Sequence, residues 1–289
     1  MSILDDIKLQ FRTGDITTKL IFWNIGVFLL SIIFFYSFRI GVFIYPEWLS
    51  LSSDPYIMMT RPWTLLTYSF LHAGFFHLLF NMMVLNFAGR MFLTFFTQKQ
   101  MLGLYLLSAI FAGIMFVVGY IILGMTSSIV GASGAIMAIL IATASYAPNM
   151  NMRLLLIGNV KLWHFAAVII LLDLLYILAE NTGGHIAHLA GAFFGYIYIW
   201  QLRRGNDIGS WISNLLESIQ GIFTRKKKAP LKTVHKNHTT RPTASSASRI
   251  VTKDKTQQQI DEILDKISRS GYDSLTKEEK EFLFRAGKQ

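Results

Sequence analysis

GASGAIMAILIATASYA, residues 131–147, is uncharged throughout, apolar along its length, and opens on a hydroxyl set between two glycines. A helix needs roughly 20 apolar residues to cross a hydrocarbon core of about 30 Å. This run is short for that task and rich in Gly and Ala. Its first residues are therefore expected to begin below the membrane surface. Five longer apolar runs surround it, at about 19–38, 75–96, 101–123, 162–179 and 185–202. Six spans make an all-α, polytopic membrane bundle with both chain termini on one side.

Composition agrees. Of 289 residues 53% are hydrophobic and 15% charged, with a mean hydropathy of +0.43, whereas soluble domains run near a quarter charged. Residues 1–202 hold nine of the 27 Lys/Arg and seven of the 17 Asp/Glu; the remainder of the chain carries +8 of the net +10. An apolar domain with a basic, polar C-terminal tail follows. The absence of cysteine excludes disulfides, thiolate metal sites and cysteine nucleophiles. The polar N-terminus (MSILDDIKLQFRTGD) does not resemble a signal peptide, so the first apolar run is expected to be an uncleaved span.

Loop charge sets the expected orientation. With the N-terminus inside, Lys8, Arg12, Lys19, Arg90, Lys99, Arg153, Lys161 and the tail are cytoplasmic, and only Arg39 and Arg61 lie outside. The long outer connection, about 40–74, carries Tyr56, Trp63, Tyr68, Phe70 and Phe75, either as interface anchors or as a semi-submerged loop.

Four segments are expected: a cytoplasmic N-terminal segment (1–18), a membrane domain (19–202), a juxtamembrane amphipathic helix with a basic linker (203–256), and a small cytoplasmic helical hairpin (257–289). Residues 210–223 place Trp211, Leu215, Ile219 and Ile222 near one helical face, followed by Arg225, Lys226, Lys227 and Lys228. Such a helix suits an anionic inner leaflet, or is a plain juxtamembrane helix with a stop-transfer cluster. Residues 229–256 have the composition of a disordered linker. In the hairpin, Ile260, Ile263, Leu264 and Ile267 form a stripe, Gly271 breaks the chain, Thr276 and Glu279 make a capping box, and Gly287 closes the second helix. Its mixed charges favour protein docking; no nucleic-acid partner is expected.

Polar and ionisable groups inside spans are costly and face cavities or one another. Here they fall in three places: His72, His77 and Asn81; Ser133 between Gly131 and Gly134; His185 and His188, followed by Gly191 and Gly195. Each group taken alone has an ordinary structural explanation. A membrane Ser bonds its own helix backbone, a His caps a loop or bonds across helices, and Gly-xxx-Gly packs helices closely. Together they supply what serine hydrolysis needs: a hydroxyl, a base and donors for an oxyanion. Small residues on the fourth and sixth spans allow those backbones to approach. No acid is evident to orient the base, so a dyad is expected. Asp173, mid-span in the fifth helix, is unassigned: a buried partner and a neutral packed acid both stay open.

The three motifs, His72-…-His77-…-Asn81, Gly131-Ala-Ser133-Gly134 and Ala187-His188-…-Gly191-…-Gly195, resemble in order and spacing the signatures of the rhomboid family of intramembrane serine proteases, across roughly residues 18–202. The resemblance implies a six-helix rhomboid fold in which Ser133 is the nucleophile and His188 the general base. His77, Asn81 and the Ser133 backbone N–H become the oxyanion hole, with His72, His185 and Gly131 lining the cavity. It implies cleavage of transmembrane segments of single- or multi-span proteins through an acyl-enzyme, without metal or cofactor. A bacterial cytoplasmic (inner) membrane is the expected location, with both termini in the cytoplasm. Two departures stand out: Arg61-Pro-Trp63-Thr64 replaces the family's Trp-Arg pair, and Arg90-Met-Phe-Leu-Thr94 stands where a Glu is usual. The alternative is an inactive rhomboid-like protein that binds transmembrane clients. A transporter lacks support in paired midplane charges or repeats, and a metal site in the His72/His77 spacing.

Overall fold

The computed structural model describes residues 2–154, 158–177, 179–212, 214, 215, 218 and 247–286. The chain divides into two compact units, Met1–Lys226 and Lys227–Gln289.

The first unit opens with a helix that the apolar pattern does not announce, α1 (Ile3–Thr13). The Ser2 hydroxyl accepts from the Asp5 N–H while the Asp5 carboxylate accepts from the Ser2 N–H, a reciprocal cap that starts the helix. The first span, α2 (Ile16–Phe35), starts three residues before its apolar run because Asp15 caps it, accepting from Thr18 N at 2.9 Å. It stops at Tyr36, where β1 (Tyr36–Ser37) turns to pair with β2 (Val42–Phe43).

The long connection that follows is built, not slack. It contains β3 (Leu51–Ser52), α3 (Pro55–Thr60), α4 (Thr64–Thr67) and a 3₁₀ turn, Tyr68–Phe70. The departure at Arg61–Thr64 makes its own bonds. Arg61 Nη1 meets Glu47 Oε2 at 3.0 Å and Trp63 Nε1 donates to Trp48 O at 2.8 Å; just beyond it, Thr67 Oγ1 donates to Leu49 O at 2.7 Å.

Next come α5 (Phe75–Leu93), α6 (Gln98–Leu123), β4 (Ser128–Ile129), α7 (Ser133–Tyr146), the hairpin of β5 (Asn151–Leu154) with β6 (Gly158–Lys161), α8 (Leu162–Tyr176) and α9 (Thr182–Arg203). The six apolar runs thus become α2 and α5–α9. Of these α2, α5 and α6 are long and apolar enough to cross a membrane, and α7 and α8 are shorter apolar helices. Large side chains such as Leu30, Phe34, Phe76, Ile122 and Leu175 stand exposed on the outside, where lipid suits them better than water. The molecule is a polytopic helical membrane bundle.

At its centre is α7. Every residue from Gly134 to Ala144 is buried, as a helix apolar on all sides requires, and α5, α6, α8 and α9 pack around it. Fourteen residues rise only about 21 Å. The helix is therefore shorter than a bilayer core.

The closest approach is between α7 and α9. A Cβ built on Gly191 would collide with the Gly134 carbonyl oxygen, and one on Gly195 with that of Ala138. Glycine at these two positions lets backbone touch backbone, holding the head of α7 against the middle of α9.

The second unit contains α10 (Ala247–Ser270), a 3₁₀ turn (Tyr272–Ser274) and α11 (Lys277–Ala286). The first helix starts ten residues before the hairpin predicted from periodicity. Gly271, at φ +79°, makes the break. The Thr276 N–H donates to Glu279 Oε2 at 2.8 Å and the Glu279 N–H to Thr276 Oγ1 at 3.3 Å, the capping box expected there. Lys266 Nζ reaches both Glu279 oxygens, at 2.8 and 2.9 Å, and ties the two helices. Ile219, Ile222, Arg225, Lys226, Lys227, Lys228, residues 229–246 and Gly287 lie outside the described residues.

Candidate active site

The segment entering α7 is stitched to the long first loop. Ile129 stands opposite Leu51 and Ser128 opposite Ser52 in the β3–β4 pair, and Gly131 N donates to Tyr68 O at 2.9 Å. Gly131 has φ +140°, a conformation closed to most L side chains. It has a second reason to be glycine. Its Cβ would lie 3.0 Å from His77 Nε2 and 3.6 Å from Ser133 Oγ. The imidazole and the hydroxyl therefore converge on the space that a side chain at 131 would fill.

Ser133 is the first residue of α7, and Ala132 offers no side-chain cap. The first described backbone bond there runs from Ile136 N to Ala132 O, so the Ser133, Gly134 and Ala135 amides are the uncapped donors of a helix start. Such a start favours negative charge.

On α5, His77 Nδ1 accepts from the Ala73 N–H at 3.3 Å. An amide only donates, so in the neutral ring the proton sits on Nε2, the nitrogen that faces Gly131 and Ser133. One turn on, Asn81 Nδ2 donates to His77 O at 2.8 Å, and its second N–H has no partner among the described residues. His77, Asn81, Gly131, Ser133, Asp173 and His188 all line one cavity of about 710 Å³.

Two residues assigned to the lining are placed otherwise. His72 is fully buried, its ring 5.2 Å from that of His77 in an edge-to-face contact, and it is absent from the cavity wall. His185 is also off the wall and turns toward α8. The loop's bonding explains the first: Tyr45 Oη donates to His72 O at 2.8 Å and holds that backbone inward.

The expectation that no acid lies beside His188 is overturned. Asp173 Oδ1, on α8, lies 2.9 Å from His188 Nδ1 and 2.7 Å from His185 Nδ1. The carboxylate is nearly buried, with 6% of its side chain exposed. Sequence alone offered one signal, an acid in mid-span, which is functional by default. It offered no partner, because the two histidines sit on another helix. With Nδ1 engaged by Asp173, His188 keeps Nε2 for the cavity. No described hydrogen bond joins His188 to Ser133 Oγ; resting catalytic contacts are commonly long and tighten around substrate. Asp173, His185 and His188 also place three ligand atoms within 4.8 Å of one another, a set a metal ion could use. Their oxygen–nitrogen separations are those of ordinary hydrogen bonds.

Residues 59–205, just over half of the chain, match the Rhomboid domain. The chain belongs to the rhomboid family. Residues 251–288, which include most of the C-terminal hairpin, match a second family, DUF6576, of unknown function. Among curated proteins this rhomboid is similar to the human presenilin-associated rhomboid-like protein, mitochondrial, at 29% identity over 157 residues, covering 52% of the chain and 39% of the relative. The rat protein of the same name is 29% identical over 158 residues (52% and 40%), and the zebrafish presenilin-associated rhomboid-like protein A, mitochondrial, 27% over 152 (52% and 39%). The chain matches about two fifths of the length of these relatives. Their names place them in mitochondria, so the comparisons do not bear out a bacterial inner membrane; an integral membrane location stands.

Proposed function

We propose that this rhomboid is an intramembrane serine endopeptidase that cleaves transmembrane segments of other membrane proteins, with Ser133 as nucleophile and His188 as general base. The observation that carries this is one cavity lined by Ser133, His188, His77 and Asn81, with the free nitrogen of His77 directed at the Ser133 hydroxyl's neighbourhood. His188 Nε2 takes the Ser133 proton as the oxygen attacks a peptide carbonyl in an unwound substrate segment. The His77 Nε2–H, the second Asn81 N–H and the Ser133 amide donate to the oxyanion. Water then releases the acyl group. A small residue before the scissile bond fits the family.

In the orientation read from loop charge, we take the cavity to open on the outer, non-cytoplasmic side. An inactive, client-binding rhomboid is the second reading. It is favoured by the missing Ser133–His188 bond and by the Asn81 amide's bond to its own helix. A fluorophosphonate probe decides. The protease labels at Ser133, loses labelling in Ser133→Ala and is strongly slowed in His188→Ala. An unlabelled wild-type chain, folded and inserted, overturns the protease reading and supports the client binder.

A further inference from the structure

We infer, on the reading of His188 as the base, that Asp173 and His185 form a positioning pair that completes a Ser133–His188–Asp173 triad. A carboxylate accepts hydrogen bonds and donates none. Both imidazoles therefore present Nδ1–H to Asp173 Oδ1, at 2.7 Å from His185 and 2.9 Å from His188. Nδ1–H is the tautomer that leaves His188 Nε2 with its lone pair, the form a general base must have.

The same geometry serves the transition state. When Oγ attacks, the Ser133 proton moves to His188 Nε2, and the carbonyl π pair moves onto its oxygen. The ring then carries a positive charge beside the carboxylate. Nδ1 keeps its proton throughout, and Asp173 neither gains nor loses one. On collapse the C–N bond breaks and the Nε2 proton passes to the leaving amine. Asp173 touches neither substrate nor reacting atom; it acts through His188.

His185 has a separate part. Asp173 Oδ2 is buried and has no hydrogen-bond partner among the described residues; both described bonds to the carboxylate fall on Oδ1 and both come from α9. His185 and His188 are three residues apart, about one turn, and their rings stand 6.0 Å apart at 82°. His185 thus holds the same carboxylate oxygen that His188 meets. Losing His185 leaves Asp173 bound by one donor. Losing Asp173 frees both rings.

A plain interhelical tie between α8 and α9 would look similar, so the test must separate rate from stability. Asp173→Asn keeps the size and an acceptor oxygen but removes the charge and can present a donor to the wrong nitrogen. In reconstituted full-length protein its kcat should fall by about two to four decades with KM within about threefold and Tm near wild type. On a His188→Ala background the same change should lower the residual rate no further. His185→Ala should cost about three- to tenfold in kcat, less than Asp173→Asn. A wild-type kcat in Asp173→Asn overturns the inference, as does a fall in kcat matched by a rise in KM and a loss of Tm. The reverse ranking, His185→Ala more damaging, assigns the acid to His185 instead. Cleavage that survives Ser133→Ala refutes Ser133 as the nucleophile, and with it the reading on which the triad rests; an inactive Ser133→Ala beside a fully active Asp173→Asn refutes only the triad.

Discussion

Gly191→Ala is the substitution whose cost can be worked most directly from the structure. The added methyl would be driven into the Gly134 carbonyl oxygen, which belongs to rigid helix backbone and has no rotamer to escape into. The helices must part, by roughly an ångström for a carbon–oxygen contact to become tolerable. Overpacking of this kind costs about 1–3 kcal/mol of stability. The functional cost is larger, because Gly134 adjoins Ser133 and Gly191 lies one turn from His188. A misplacement of about 1 Å between reacting groups costs on the order of 10²-fold in rate. We therefore expect kcat to fall about a hundredfold, with KM little changed and Tm modestly lowered. Gly26→Ala is the matched control: nothing lies within 4 Å of its Cβ, and in a helix interior Ala is favoured by about 0.5–1 kcal/mol. It should be as active as wild type and no less stable. Cleavage of a single-span substrate in proteoliposomes, with Tm on the same preparations, provides both numbers. A Gly191→Ala enzyme within threefold of wild type would show that the α7–α9 contact does not set the Ser133–His188 geometry.

Asn81→Ala should lower the cleavage rate by about two to three decades while an uncleavable substrate binds nearly as before; its lost bond to His77 O adds a stability cost of about 1 kcal/mol. A rate within a few-fold of wild type removes Asn81 from the mechanism. Gly131→Ala must hold φ +140° with a side chain 3.0 Å from the His77 ring, and backbone strain alone costs about 1–3 kcal/mol; fluorophosphonate labelling of Ser133 should slow, and unchanged labelling would refute the constraint. In the C-terminal hairpin, the Lys266 ammonium and the Thr276 N–H hold the Glu279 carboxyl below its ordinary range. A lowered folded-state value stabilises the hairpin above that range and the contribution fades as pH falls through it. Hydrogen exchange in residues 258–286 should quicken on acidification, and Glu279→Gln should remove that pH dependence; an unchanged dependence would contradict the tie.

Much of the bundle was legible because burial in lipid writes itself as uninterrupted apolar runs. Each of the six runs became a helix, shifted by a few residues where a cap such as Asp15 or a turn such as Tyr36–Phe43 took over. The small residues of α7 and α9 announced their contact, since only Gly and Ala permit it. The fold of the 36–74 loop was not legible. Its bonds to Trp48, Leu49 and the segment before Ser133 join residues distant in sequence, with no periodicity to report them. The Asp173 pairing was hidden for a related reason. The rotation of α8 against α9 decides whether a mid-span acid meets His185, His188, both or neither, and that rotation is a product of packing. His72 shows the converse: a polar residue in a motif need not reach the cavity.

The most direct test of the central claim is cleavage of a panel of single-span membrane proteins by wild type and Ser133→Ala, purified and reconstituted side by side. Wild type should cut at least one panel member within its transmembrane segment, and Ser133→Ala, equally folded and inserted, should cut none. The same products at comparable rates from Ser133→Ala would contradict the account.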